Sequence, residues 1–207
     1  LALKVSARAQ CQWIFVLQNV GRFSDALRAG EMLLAEVAEW KNSSDIEQLD
    51  IGTMARSYVG RVRENRGEQD QALGLFEASR EIREKLCARE PDNLAHQRDL
   101  GIALNNVGRG SEKRGEQYQA LGLFEASREI SEKLCAREPD NLAHQRELGI
   151  ALYYCGAANW KLRRNKTALE RLQAAHRLFE SLCQTASFYD SQSNLQVVRQ
   201  LIDVVTP

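Results

Sequence analysis

Apolar and small residues advance by three or four through the middle of the chain. Ala120, Leu123, Phe124, Ser127, Ile130 and Leu134 form one stripe of an amphipathic helix. A different stripe, Leu100, Leu104, Val107 and Ser111, precedes it, and Leu148, Leu152 and Cys155 follow in the same phase. Pro91-Asp92-Asn93 and Pro139-Asp140-Asn141 stand between these segments, where proline ends one helix and Asp or Asn caps the next. Ser44 with Glu47 reads as a capping box that opens an earlier helix. The pattern predicts helical hairpins.

The hairpins repeat. Arg66-Gly67-Glu68-Gln69 returns as Arg114-Gly115-Glu116-Gln117, and Ala88-Arg89-Glu90-Pro91-Asp92-Asn93 returns as Ala136-Arg137-Glu138-Pro139-Asp140-Asn141, a period of 48 residues. A period of this order marks a solenoid, whose units cannot bury their apolar faces alone and must stack. Gly21 to Leu27 echoes Gly67 to Leu73, and Ala168-Leu169 and Leu182-Cys183 echo Ala120-Leu121 and Leu134-Cys135. The expected organisation is therefore four hairpins, 1–41, 42–90, 91–138 and 139–186. After Cys183 the repeat lapses into a turn-like cluster, Thr185 to Ser193. A last stripe of Leu195, Val198, Leu201, Ile202 and Val205 then predicts a capping helix within 187–207.

Composition narrows the function classes. The 28 basic and 28 acidic residues cancel, so no overall field favours nucleic acid or an anionic membrane. No apolar run approaches the roughly 20 residues of a membrane span, and no signal peptide is visible, so a cytoplasmic protein is expected. The first residue is Leu1 rather than Met, which reads as a segment cut from a longer protein. Cys87, Cys135 and Cys183 fall one per repeat and read, like Cys11 and Cys155, as small packing residues rather than metal or redox groups. His96 and His144 are repeat-phase copies that read as solvated or capping, and His176 has no matched partner. No nucleophile triad, phosphate loop or paired-carboxylate site stands out, so no enzyme, metal or cofactor is expected.

Val107-Gly108, Ser111, Gly115, Ala120, Phe124 and Ser127, and likewise Val59-Gly60, Gly67, Ala72, Phe76 and Ser79, fall at spacings that resemble the tetratricopeptide signature. The resemblance covers about 180 residues in long units: the family's usual repeat has about 34 residues. Two helices of about 20 residues per unit, each roughly 30 Å long, account for the difference. Glycine inside a helix costs roughly 0.5 to 1 kcal/mol against alanine, so Gly60, Gly108 and Gly156 are expected to mark close helix contacts. Arg163 departs from the pattern by replacing the turn glycine of the fourth unit.

The resemblance implies an all-α, right-handed superhelical α-solenoid of about four such hairpins plus the capping helix. It implies that the first helix of each hairpin lines a concave, partner-binding face. The residues so placed are Ser57, Arg61, Glu64, Asn105, Arg109, Glu112, Tyr153, Trp160 and Lys161, with Arg98 and Arg146 on the extended turns. Arginine pairs bidentately with carboxylates and Tyr or Trp gives large contact area, so a protein or peptide with acidic and apolar groups suits the mixture.

Residues 66–113 and 114–161 differ at 10 of 48 positions, and 7 of these lie between Asn105 and Glu112. Either the duplicated scaffold was varied on its inner face, changing Asn105 to Tyr153, Arg109 to Ala157 and Glu112 to Trp160, or the copied tract ends near Leu152. The expected function is a protein- or peptide-binding scaffold, the sensing or recruitment arm of a larger bacterial signalling or defence protein. Self-association through the solenoid is the first alternative. A nucleic-acid-binding helical repeat is the second, disfavoured by the zero net charge and the lack of a one-base-per-repeat code.

Overall fold

A computed structural model describes residues 2–185 and 189–206. Among these the chain forms nine α-helices and one short 3-10 turn: α1 (Ala2–Asn19), α2 (Phe23–Glu36), the 3-10 turn (Ala38–Asn42), α3 (Ile46–Asn65), α4 (Gln69–Arg89), α5 (Leu94–Lys113), α6 (Gln117–Arg137), α7 (Leu142–Lys161), α8 (Asn165–Thr185) and α9 (Tyr189–Val205). The architecture is an all-α helical repeat ending in a C-terminal helix. Helices α3, α5 and α7 have 20 residues each, and α4, α6 and α8 have 21. Both helices of the unit are thus lengthened, as the long period requires.

The same tight turn joins the two helices of all four hairpins. Gly21, Gly67 and Gly115 take φ of +76°, +83° and +83°. At each turn the amide of that residue donates three residues back and the next amide donates five back, as in Gly67 N to Glu64 O and Glu68 N to Arg63 O. This pair of bonds satisfies carbonyls that a helix end otherwise leaves bare, and it needs the left-handed conformation that glycine adopts freely. Arg163 makes the same two bonds with φ +60°, the one non-glycine residue of positive φ among the described residues.

Sequence-predicted caps are present at two helices and shifted at a third. The Asn93 side chain accepts from the amides of Ala95 and His96, and that of Asn141 accepts from Ala143 and His144. At α3 the cap is Asp45 rather than Ser44: its carboxylate accepts from the Glu47 and Gln48 amides, while Ser43 Oγ accepts from the Asp45 amide. His96 and His144 are not solvated. Both rings are buried, His96 Nε2 lying 3.0 Å from Glu90 Oε2 and His144 Nδ1 3.5 Å from Glu138 Oε2.

The chain divides into two compact units, Leu1–His96 and Gln97–Pro207. In the first, Ala7, Cys11, Ile14 and Leu17 of α1 pack with Ala26 and Leu33 of α2, Val37, Trp40, and Ile51, Ala55 and Val62 of α3. Gly60 of α3 lets Phe76 of α4 in: a Cβ there would lie 2.5 Å from Phe76 Cε1. Gly30 of α2 does the same for Val59 Cγ2, again at 2.5 Å. Ser79 Oγ donates to Thr53 O at 3.3 Å, joining α4 to α3 through a polar group within the apolar stripe.

The second unit uses the same devices one repeat later. Ser127 Oγ donates to Gly101 O at 2.8 Å. Phe124 fills the space over Gly108, and Leu172 the space over Gly156. Ala120, Leu121 and Phe124 of α6 bury Cys155 and Ala158 of α7. Leu152 of α7 packs with Ala168, Leu172, Ala175, Phe179 and Leu182 of α8 and with Val198 and Val205 of α9. Leu195, Leu201 and Ile202 flank that cluster, so the last apolar stripe covers α8. Of the expected turn-like cluster Thr185 to Ser193, residues 186–188 lie outside the described residues, and the described remainder is helical.

Candidate functional site

First-helix side chains in the first unit are mostly engaged within the fold. The Ser57 and Ser79 hydroxyls lie 3.1 Å apart. The Arg61 guanidinium carbon lies over the Tyr58 ring at 4.9 Å from its centroid and over the Phe15 ring at 5.9 Å, a cation–π arrangement. Glu64 is buried. Helix α3 packs on α4, α2 and α1, which leaves little of its circumference open.

In the second unit the first helices are α5 and α7. Asn105 is buried in α5. Lys161 Nζ reaches Glu112 Oε2 at 3.0 Å and so ties the end of α7 to the end of α5. Trp160, half-buried, lines a shallow hollow with Lys161, Gln117 and Arg163. Burial pushes the Tyr153 hydroxyl above the ordinary 10.0, helped by Tyr154 and Glu112 and opposed by Arg109. Arg109, Glu112, Tyr153 and Lys161 therefore belong to one electrostatic neighbourhood.

A second neighbourhood lies nearer the start of α7. Arg146 Nη1 donates to Glu147 Oε1 at 2.9 Å. Glu147 is itself buried, and desolvation raises its carboxyl above the usual 4.5 despite the charges of Arg146 and Arg98. Fourteen residues of helix separate Arg146 from Trp160, about 21 Å along the axis, so the two cannot serve the same side chain of a ligand.

Beside Arg146 opens a cavity of about 190 Å³. Its walls are Ile150, Tyr153 and Tyr154 of α7, Phe179 of α8, and Ser193, Asn194, Val197 and Val198 of α9. The Tyr154 ring stacks on Phe124 with centroids 5.0 Å apart and planes at 16°, and meets the Tyr153 ring at 5.3 Å, so the aromatic wall is held from behind. The structure thus gathers Arg146 and Tyr153 from the expected set and places Ser57, Arg61 and Glu64 in the other compact unit. The sequence reading missed Tyr154, Phe179 and the α9 wall. The repeat comparison held a signal for two of them: one period earlier, Tyr154 corresponds to Asn106 and Phe179 to Ser131. Nothing in the repeat marks the α9 residues.

Cys11 and Cys155 are buried, and burial pushes the Cys11 thiol up to about 12 and raises that of Cys155 further. Cys87, Cys135 and Cys183 are half-buried. Among the described residues no group of three His, Cys, Asp or Glu side chains is placed to hold a metal ion. No described helix is long and apolar enough to cross a membrane.

No protein-family model and no curated protein matches the chain. Solved structures do resemble it. BtubC (BKLC) from P. vanneervenii superposes with a TM-score of 0.62 at 13% identity, over 98% of this chain and 79% of that one. The yeast histone chaperone Hif1, described as a scaffold protein recruiting protein complexes to core histones, gives 0.56 at 14% identity over 99% and 96%. A kinesin light chain-like protein of nearly identical TPR-like repeats from Podosopora anserina gives 0.53 at 21% identity over 98% of each chain. At these identities the likeness establishes the fold, that of TPR-like helical repeat proteins.

Proposed function

We propose that this chain is a protein-interaction scaffold that holds a protein or peptide segment on its first helices, as the recruitment or sensing arm of a larger protein. The observation that supports this reading most is the half-open aromatic cavity beside Arg146, bounded by α7, α8 and α9. Among the described residues its walls combine the half-buried Tyr153 and Tyr154 and the buried Phe179 with one guanidinium, the mixture that concentrates binding energy at protein interfaces. The proposed contact set comprises Ser57, Arg61, Arg98, Arg109, Glu112, Arg146, Tyr153, Trp160 and Lys161, with Glu64 and Asn105 supporting from buried positions. The neighbour described as a recruiting scaffold has the same fold, which makes the reading natural for this chain without naming its partner.

The test is partner capture by the intact chain, compared with an Arg61→Ala, Arg109→Ala, Trp160→Ala variant and with Tyr153→Ala, all matched for thermal unfolding. Loss of specific partners from either variant is expected. Equal recovery of every partner would remove the first-helix site. Self-association is the second reading, favoured by exposed Trp13, Val16, Val20 and Met32 on the first hairpin. Light scattering of the intact chain across a wide concentration range decides it, and a monomer throughout excludes it.

A further inference from the structure

We propose that the turn joining α7 to α8 is a docking surface for an acidic protein segment, whose carboxylates are taken by Arg163, Arg164 and Lys166. This rests on the interaction-scaffold reading and adds to it a surface beyond the first helices. Residues 161–166, Lys-Leu-Arg-Arg-Asn-Lys, hold four basic residues and no acidic one. One period earlier, residues 113–118 read Lys-Arg-Gly-Glu-Gln-Tyr, with two basic residues and one acidic. Arg163 thus stands where the earlier turn has Gly115, Arg164 where it has Glu116, and Lys166 where it has Tyr118.

The three replacements leave positive charge uncompensated. At the earlier turn Arg114 Nε lies 3.5 Å from Glu116 Oε1. Arg163, Arg164 and Lys166 are all exposed, and none of them forms an ion pair among the described residues. Lys161 is the one basic residue of this turn with a carboxylate partner there, Glu112 at 3.0 Å. Arg163 also holds a left-handed conformation, φ +60°, that glycine adopts at lower cost, and it makes the same two backbone bonds as the turn glycines. The turn itself gains nothing from the arginine side chain.

The neighbours of these charges decide the kind of anion. The Arg164 guanidinium carbon lies 5.8 Å from the centroid of the Tyr118 ring, itself 72% exposed. Arg163 instead lines the hollow of about 310 Å³ that it shares with Trp160, Lys161 and Gln117. The two guanidiniums face different neighbours, which suits carboxylates spaced along a segment better than one phosphate gripped by both. Tyr118 and Trp160 add aromatic contact surface with few rotatable bonds, the kind protein-binding surfaces use. Nucleic acid fits less well. A strand held through its backbone uses roughly 6 to 10 phosphate contacts, whereas Glu112 beside Lys161 and Glu116 beside Arg114 interrupt the positive charge here.

The test is selection of a displayed library of random peptides on the immobilised intact chain, followed by affinity measurement of the selected peptides and of a random single-stranded oligonucleotide. The wild-type chain is expected to enrich peptides with several Asp or Glu residues, and Asn or Gln versions of those peptides are expected to lose binding. Arg163→Gly is expected to weaken them about fivefold while raising the unfolding midpoint, a pair of opposite effects that loss of fold does not produce. Arg164→Gln with Lys166→Gln, both at exposed positions, is expected to weaken them further. Affinity unchanged when all three substitutions are combined overturns the surface, as does tighter binding of the oligonucleotide than of any peptide. If an Arg61→Ala, Arg109→Ala variant loses the acidic peptides and the turn variants keep them, this surface fails while the scaffold reading stands. Enrichment of no acidic peptide also overturns the surface, and the scaffold reading falls with it only if partner capture fails as well.

Discussion

Gly108 faces Phe124 so closely that a Cβ at position 108 would lie 2.5 Å from Phe124 Cε1 and 2.8 Å from Cδ1. Gly122, on the second helix of the same hairpin, has nothing within 4 Å of its missing Cβ. Both are helical, so intrinsic propensity favours alanine at each by roughly 0.5 to 1 kcal/mol. Gly122→Ala is expected to stabilise by about that amount. Gly108→Ala meets a rigid ring instead, where overpacking costs typically 1 to 3 kcal/mol. A net loss of about 1 to 2 kcal/mol is expected, and chemical denaturation of the two single variants checks the opposite signs.

Arg163 carries the left-handed turn of the fourth hairpin at φ +60°, where its three counterparts are glycine. The conformation costs an L-residue roughly 1 to 2 kcal/mol, part of which glycine returns as chain entropy. Arg163→Gly is expected to stabilise by about 0.5 to 1 kcal/mol, and Gly115→Ala to destabilise by a similar amount. Unfolding midpoints that move together in the two variants would contradict the assignment.

The five thiols divide by burial. Cys11 and Cys155 sit in the apolar cores with their thiols held protonated, whereas Cys87, Cys135 and Cys183 are half-buried. Since the thiolate is the reactive form, a thiol reagent at pH 8 is expected to spare Cys11 and Cys155 in the native protein and to reach them on unfolding. Mass-spectrometric mapping of the labelled sites reads this directly.

Two carboxylates respond to acid with opposite signs. The bond from Lys4, opposed by desolvation and aided by the Gln48 and Glu47 amides, holds Asp45 below the ordinary 3.8. Its folded-state value is lowered, so its stabilisation is present above pH 3.8 and is lost as pH falls through the lower folded value. Desolvation raises Glu147 above 4.5, so its ionised form opposes folding at neutral pH and that penalty fades as pH falls through the raised value. Glu147→Gln is accordingly expected to gain stability at pH 7 and to lose that advantage near pH 4. Asp45→Ala is expected to lose stability at pH 7, while Ser44→Ala changes little. Thermal unfolding of each variant from pH 7 to pH 3 measures both trends.

The helices, their lengths, the Asn93 and Asn141 caps and the close contacts at Gly60, Gly108 and Gly156 could be read from the chain. Each depends on neighbours within one 48-residue unit, and the near-exact repetition of Arg66 to Leu104 prints the same local answer twice. The cap of α3 was legible only to within a residue. Asp45 and Ser44 are both good caps, and the entry of the chain from the 3-10 turn at Ala38–Asn42, with Ser43 bracing the Asp45 amide, selects between them.

The sequence by itself determined an all-α repeat of hairpins, because periodic apolar stripes, turn glycines and capping asparagines act over a few residues. Only the tertiary structure decided which polar side chains remain accessible. Glu64 and Asn105 share the helical phase of residues expected to meet a partner, yet both are buried. Tertiary packing also built the cavity, whose walls come from α7, α8 and α9 across Arg146 to Val198. Helix α9 has no counterpart in the duplicated tract, and a pocket of this kind depends on where three separate helices come to rest, which no local pattern encodes.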